Sequence, residues 1–329
     1  MPADLAKSEL LHVVTQSVLD SGCGLICLDR NHPFRIRIYY DDKSRDAKII
    51  IYNISHGGKK RAEDEYRIQI KEIGIEPEAE CKTIILGYHS RMEVFAGWDA
   101  SKHPSPKYSS SLQIRLEALE KASMYGFSTC DKGNGEIVVA FKPGLMSEYI
   151  RNLEDLHSFG ESVYDLNILE EATGAKGPNM DMDIQGISPE RRTVLQTILK
   201  RQRDSSFRER ILSAYNHRCA FSGVQLKLVD AAHIIPVRCQ GATDETDNGI
   251  ALSAIHHKAY DRGLITFDEN YKIKVNEGEL HRLQDLDLIG GFNEFKACLR
   301  DVIYLPSEKT LRPNPEYVRR ANELRGWAV

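Results

Sequence analysis

The sequence predicts an α+β protein. Its N-terminal domain should hold a mixed sheet or open barrel with helices, and a smaller C-terminal domain should carry flanking helices of its own. Three observations predict this. Six short β-type runs crowd residues 24–98, divided by Gly, Asp and Lys clusters. Segments with apolar residues at helical spacing precede and follow them. A stretch without periodicity, Thr173–Ser188 (TGAKGPNMDMDIQGIS), then separates the two halves. A chain of 329 residues has room for two cores. The expected division is residues 1–172, a linker at 173–188, and residues 189–329.

Residues 3–20 (ADLAKSELLHVVTQSVLD) have helical spacing and stop at Ser21-Gly22. The β-type runs follow: Gly24–Leu28, Phe34–Tyr40, Lys48–Ile54, Glu65–Ile70, Thr83–Tyr88 and Met92–Trp98. Phe34–Tyr40 alternates apolar and basic residues, which marks a strand with one buried face. A loop rich in Ser, Pro and Lys spans Ser101–Ser111. Leu112–Ser123 and Leu145–Phe159 then read as helices, with Ile137–Phe141 as a strand between them. Ser188-Pro189-Glu190 is a helix start, with Ser as N-cap and Pro at the first position. That helix is expected to end near Arg203, and another to span Phe207–Tyr215.

Charged residues at 28% and hydrophobic ones at 41% are an ordinary soluble balance. No apolar run approaches the length of a membrane span. The start, MPADLAKSELLHVV, lacks the basic segment and apolar block of a secretory signal. Seven scattered cysteines form no framework, which fits reduced thiols in a cytoplasm. A net charge of −4 argues against a protein that coats nucleic acid without selection, but it leaves room for local basic faces. One such segment runs from Glu190 to Arg218, with eight basic residues against three acids.

The chemistry concentrates between Asp230 and Gly263. His233 follows a short apolar run, Asn248 lies in Asp-Asn-Gly, and His256-His257 is followed by Asp261. A one-metal phosphodiesterase needs these groups: one imidazole to take a proton from water, one amide to fix a loop, and one imidazole to hold a divalent ion at the phosphate. Each residue also has a plainer reading. A lone histidine among apolar residues is usually a satisfied one, Asp-Asn-Gly makes a turn by itself, and Asp261 could pair with Arg262 or Lys258.

The segments AAHIIP, DNGIAL and HHKAYDRGLITFDENYKIKV together resemble the HNH endonuclease motif, the ββα-metal finger, of restriction-type enzymes. The resemblance extends from about Phe207 to a closing helix in LRPNPEYVRRANELR. It implies that His233 is the general base, Asn248 the loop-fixing residue and His257 a metal ligand. Asp261, at i+4 from His257, projects from the same helical face and is a second candidate ligand. The chain departs from the family pattern at Ala232, where many relatives carry a metal-binding Asp or His. Asp230 is the nearest acid and the third candidate ligand. A backbone carbonyl is expected to orient the other nitrogen of His233. Many relatives also frame the finger with paired Cys-x-x-Cys knuckles. Here the positions read Cys219-Ala-Phe-Ser222 and Ser253-Ala-Ile-His256, so structural zinc is not expected.

The resemblance implies a metal-dependent DNA endonuclease using Mg2+ or Mn2+ on double-stranded DNA, with or without modified bases. Cutting both strands implies a homodimer. Arg208, Lys258 and Arg262 are candidate phosphate contacts beside the finger. The basic loop Lys59, Lys60 and Arg61 is a candidate DNA contact in the N-terminal half. Tyr88, Trp98, Tyr108 and Lys102-His103 are read as core and solvated loop, or alternatively as a cage for a base. Two other functions fit the same residues: an effector nuclease gated by a ligand of the N-terminal half, and a DNA-binding protein whose finger has lost catalysis.

Overall fold

The run Ile49-Ile50-Ile51 shows how the N-terminal half is built. Ile49 and Ile51 enter one apolar cluster and Ile50 enters another, and all three are fully buried. A strand buried on both faces needs such a continuous apolar run. The computed structural model describes residues 4–40, 43–56, 58, 62–70, 78, 81–103, 110–174, 179 and 184–327. The chain divides into two compact units, Met1–Ser205 and Ser206–Val329.

Unit 1 runs α1 (Lys7–Asp20), β1 (Gly24–Asp29), β2 (Phe34–Tyr40), β3 (Lys43–Asn53), β4 (Ser55–His56) and β5 (Glu65–Ile70). It continues with β6 (Cys81–His89), β7 (Val94–Trp98), β8 (Ser110–Arg115), α2 (Leu116–Tyr125), β9 (Phe127–Asp131) and β10 (Ile137–Phe141). Helices α3 (Met146–Arg151), α4 (Leu153–Ser158) and α5 (Val163–Thr173) follow, then α6 (Pro189–Ala214). Seven strands form one sheet in the order β1-β2-β3-β6-β7-β10-β9. Among the described residues only β3 and β6 pair in parallel, so the sheet is mixed. Strands β4, β5 and β8 form a second, three-stranded sheet, and neither sheet closes into a barrel. One cluster joins α1 (Leu10, Val14) to the sheet (Ile36, Ile84, Phe141) and to the later helices (Leu156, Leu169). The other joins the opposite face (Ile85, Trp98, Ala140) to the small sheet (Ile68, Leu112) and α2 (Leu119).

The structure differs from the sequence expectation in several places. Leu112–Arg115 lies in strand β8 rather than in a helix, because Leu112 and Ile114 alternate with Gln113 and Arg115 and pack on the second cluster. The expected helix 145–159 is interrupted at Asn152, whose side chain donates to the Glu148 carbonyl at 2.8 Å. Strand β9 and helix α5 were not expected. The helices expected on either side of residues 204–206 are one helix, α6, of 26 residues. The boundary between the two compact units lies within α6, after Ser205. The reason is that Val194, Leu195, Ile198 and Leu199 are buried in the cluster of unit 1, whereas Phe207, Ile211 and Leu212 belong to the cluster of unit 2.

Unit 2 contains β11 (Val229–His233), β12 (Gly249–Ser253), α7 (Ala254–Asp261), β13 (Ile265–Phe267), β14 (Ile273–Val275), α8 (Glu277–Asp285), α9 (Phe292–Ala297) and α10 (Pro315–Leu324). The closing helix α10 starts as its sequence suggests. Asn314 accepts from the Glu316 amide at 3.0 Å, and Pro315 takes the first position. It then buries Val318 and Ala321. Its Asn322 accepts from the Thr266 hydroxyl at 2.6 Å and donates to the Phe267 carbonyl at 2.9 Å. Among the described residues no helix is long and apolar enough to cross a membrane.

Candidate active site

Strands β11 and β12 pair antiparallel, with His233 opposite Gly249, and α7 follows β12 without a loop. This is a ββα unit. The last turns of α6 lie against it. A side chain on Gly249 would put Cβ 2.0 Å from Ile211 Cδ1 and 3.0 Å from Phe207 Cζ, so only glycine lets the helix come this close.

His233 sits at the end of β11 with 19% of its side chain exposed, enough to meet water. Its ring stacks on Phe207 at 3.8 Å between centroids, with 4° between planes. Its Nε2 lies 2.9 Å from Asp244 Oδ1. The expectation of a backbone carbonyl at this ring is therefore corrected: the partner is a carboxylate from the loop between the strands. Sequence reading missed Asp244 because it is one of three acids in ATDETDNG, with no spacing to single it out.

Asn248 is fully buried. Its Oδ1 accepts from the Ile235 amide at 2.9 Å, and its Nδ2 donates to the Thr243 carbonyl at 2.8 Å. Its own carbonyl accepts from the Ile234 amide at 2.9 Å. One side chain thus closes both ends of the loop that carries Asp244. On the far side, Arg325 donates to the Ile234 carbonyl at 2.9 Å, and its guanidinium lies 4.3 Å from the centre of the Tyr260 ring.

His257 and Asp261 share a face of α7, with Nε2 and Oδ2 3.6 Å apart. Together with Arg208, Lys227, Asp230 and Lys258 they line a shallow cavity of about 400 Å³. Asp230 Oδ1 there accepts from Arg208 Nε at 2.7 Å. Among the described residues no three His, Cys, Asp or Glu side chains converge as a metal cage. His257 and Asp261 can still offer one nitrogen and one carboxylate to an ion, leaving its other positions to water and phosphate. That open arrangement suits a hydrolytic ion rather than a structural one.

The positions framing the finger also meet. Cys219 Sγ lies 3.4 Å from His256 Nδ1, and Ser253 Oγ lies 2.7 Å from the same nitrogen. Burial pushes the Cys219 thiol up, but hydrogen bonds from His256, Ser222 and the Ser253 backbone outweigh it and bring the thiol down to about 6. His256 is 3% exposed and faces Phe221 and Phe295, so it is a residue of the interior.

Arg262 lines an apolar groove with Ile255, Leu283 and Leu286. Lys59, Lys60, Arg61 and Tyr108 lie outside the described residues. Tyr88 and Trp98 are core residues. Lys102 donates to the Gly135 carbonyl at 2.6 Å, and His103 Nε2 lies 2.6 Å from Glu136 Oε1. Much of the basic segment 190–218 is used internally. Arg191 pairs with Asp165, Arg201 donates to the Gly144 carbonyl at 2.8 Å, and Arg210 donates to the Asp244 carbonyl at 2.6 Å.

Comparison with known proteins gives two family matches. Residues 45–150 match the family described as Methylase-associated X1, and residues 219–268 match the family described as HNH endonuclease. No curated protein matches the chain. Among solved structures, the chain is similar to one titled "Modification dependent TagI restriction endonuclease", at 10% identity and a TM-score of 0.28, over 83% of this chain and 80% of that one. The second family match spans both strands of the hairpin, His233, Asn248, helix α7 and β13, and on that ground this chain carries an HNH endonuclease domain at residues 219–268.

Proposed function

We propose that the protein is a metal-dependent DNA endonuclease of restriction type, with His233 as general base. One observation carries this reading: a water-accessible imidazole held at one ring nitrogen stands at the end of β11, in the same ββα unit as the His257–Asp261 pair. His233 Nδ1, the nitrogen not engaged by Asp244, accepts a proton from water. The water oxygen bonds to phosphorus, and the bond from phosphorus to the leaving sugar oxygen breaks. An imidazole suits this transfer near neutral pH. His257 and Asp261 would hold a divalent ion, Mg2+ or Mn2+, with Asp230 at the rim of the same cavity. Such an ion would neutralise charge on the phosphate and on the leaving oxygen. Arg208 and Lys258 line the cavity and would contact the flanking phosphates, with Arg262 at the C-terminal cap of α7. Asn248 holds the loop.

Unit 1 is proposed to find the site or the modified base, and the match of residues 45–150 to a methylase-associated family supports that assignment. Lys59, Lys60 and Arg61 are proposed DNA contacts there. Double-strand cutting would take two copies, one finger for each strand.

Digestion of matched plasmids with and without base modification, in Mg2+, Mn2+ or EDTA, tests the reading alongside His233→Ala. The wild type should cut in the presence of a divalent ion, and the variant should bind DNA without cutting it. A variant that cuts like the wild type would remove His233 from the chemistry. Absence of cutting under every condition would favour a DNA-binding protein with a silent finger.

A further inference from the structure

The ring of His233, at the end of β11, is engaged on one face and at one edge. Phe207 covers one face of the ring in a parallel stack, and Asp244 takes Nε2 at 2.9 Å. Asp244 is itself held. Its carbonyl accepts from Arg210 Nη2 at 2.6 Å, and Arg210 Nη1 donates to the Ser206 hydroxyl at 2.6 Å. The neighbouring Thr243 carbonyl is bound by the buried Asn248 amide. The loop that carries the carboxylate is therefore tied at two successive residues, by a helix on one side and by a strand-end amide on the other.

We infer that Asp244 is the positioning residue of the reaction: its carboxylate holds the proton of His233 on Nε2 and keeps Nδ1 bare to receive the proton of water. The inference rests on His233 being the base. An ionised carboxylate only accepts hydrogen bonds, so the ring nitrogen facing it must be the one that carries the hydrogen. A neutral imidazole has one N–H, so the opposite nitrogen is left as the acceptor. As Nδ1 takes the proton, the ring becomes an imidazolium, and the carboxylate already in contact stabilises that charge without moving. Phe207 adds the second constraint. A ring stacked on one face and bonded at one edge is held against rotating away from its water.

Asp244→Asn is the informative variant. Its amide can turn its NH2 toward Nε2, which favours the wrong tautomer, with hydrogen on Nδ1. Two readouts apply to the full-length protein. Long-range 15N–1H correlation spectra of histidine-labelled protein report which nitrogen of His233 carries the hydrogen, with His233→Gln identifying the signal. Single-turnover cutting and DNA affinity report chemistry and binding separately. The wild type should show hydrogen on Nε2. Asp244→Asn should move it to Nδ1 and slow cutting by on the order of a hundredfold or more, with DNA affinity unchanged. An unchanged tautomer, or cutting within about threefold of the wild type, would overturn the inference. If Asp244→Asn cuts normally while His233→Ala is dead, only the role of Asp244 fails. If His233→Ala also cuts, the base assignment fails and Asp244 with it. The tautomer measurement decides even where no substrate has been found.

Discussion

Asn248 is a position where one side-chain replacement should loosen a defined part of unit 2. Replacing it with alanine removes the acceptor of the Ile235 amide and the donor to the Thr243 carbonyl, at a site with no access to water. Two neutral hydrogen bonds contribute about 1 kcal/mol each, and a buried amide left without a partner costs a further 1–3 kcal/mol, so Asn248→Ala should destabilise unit 2 by about 3–5 kcal/mol. The loss should be local. Hydrogen exchange of peptides covering residues 234–248 should accelerate most, because both ends of that loop are closed by this side chain. Urea unfolding by circular dichroism, with exchange of peptides from 206–329 read by mass spectrometry, measures both effects. Asn248→Asp separates shape from chemistry. It keeps the acceptor for Ile235 but turns a carboxylate oxygen toward the Thr243 carbonyl, and it should be no better than alanine. A loss below about 0.5 kcal/mol for Asn248→Ala, or faster exchange elsewhere but not in the loop, would refute the reasoning.

Two further outcomes are expected. Gly249→Ala forces Cβ against Ile211 and Phe207, and such overpacking costs about 1–3 kcal/mol. Because Phe207 is the plate on which His233 rests, cutting should fall with it, and a variant of normal stability and activity would mean that the helix yields freely. The Cys219 thiol falls from its usual value near 9 to about 6 in the folded protein. Between those pH values the unfolded chain holds a proton that the folded one does not. The contribution is thus complete above pH 9 and is lost as pH falls through about 6. The urea midpoint of the wild type should rise from pH 6 to 9 more steeply than that of Cys219→Ala, and parallel slopes would discount the thiolate.

What could be read from the chain followed from period and order. The alternation in Phe34–Tyr40 and the apolar block Ile49–Ile51 announce strands, and both lie in the large sheet. His233, Asn248 and His257 could be ordered along the chain because the ββα unit spans only a short stretch. What escaped depends on contacts across loops. Asp244 reaches His233 across a loop that Asn248 closes, and nothing in ATDETDNG encodes which acid will do so. Leu112–Ser123 carries a strand and a helix end to end, so a helical count across it averages two periods. Asp204-Ser205-Ser206 looks like a break because these residues favour caps and turns. The helix passes through them because apolar positions on both sides are buried.

That uninterrupted helix sets limits on how the protein can be taken apart. A fragment begun at residue 189 exposes Val194, Leu195, Ile198 and Leu199 without their partners and invites aggregation. One begun at 206 starts in mid-helix without a capping residue, next to the Phe207 that supports His233. Any dissection aimed at an autonomous nuclease must therefore rebuild a helix start upstream of Phe207 and make the four orphaned apolar positions polar.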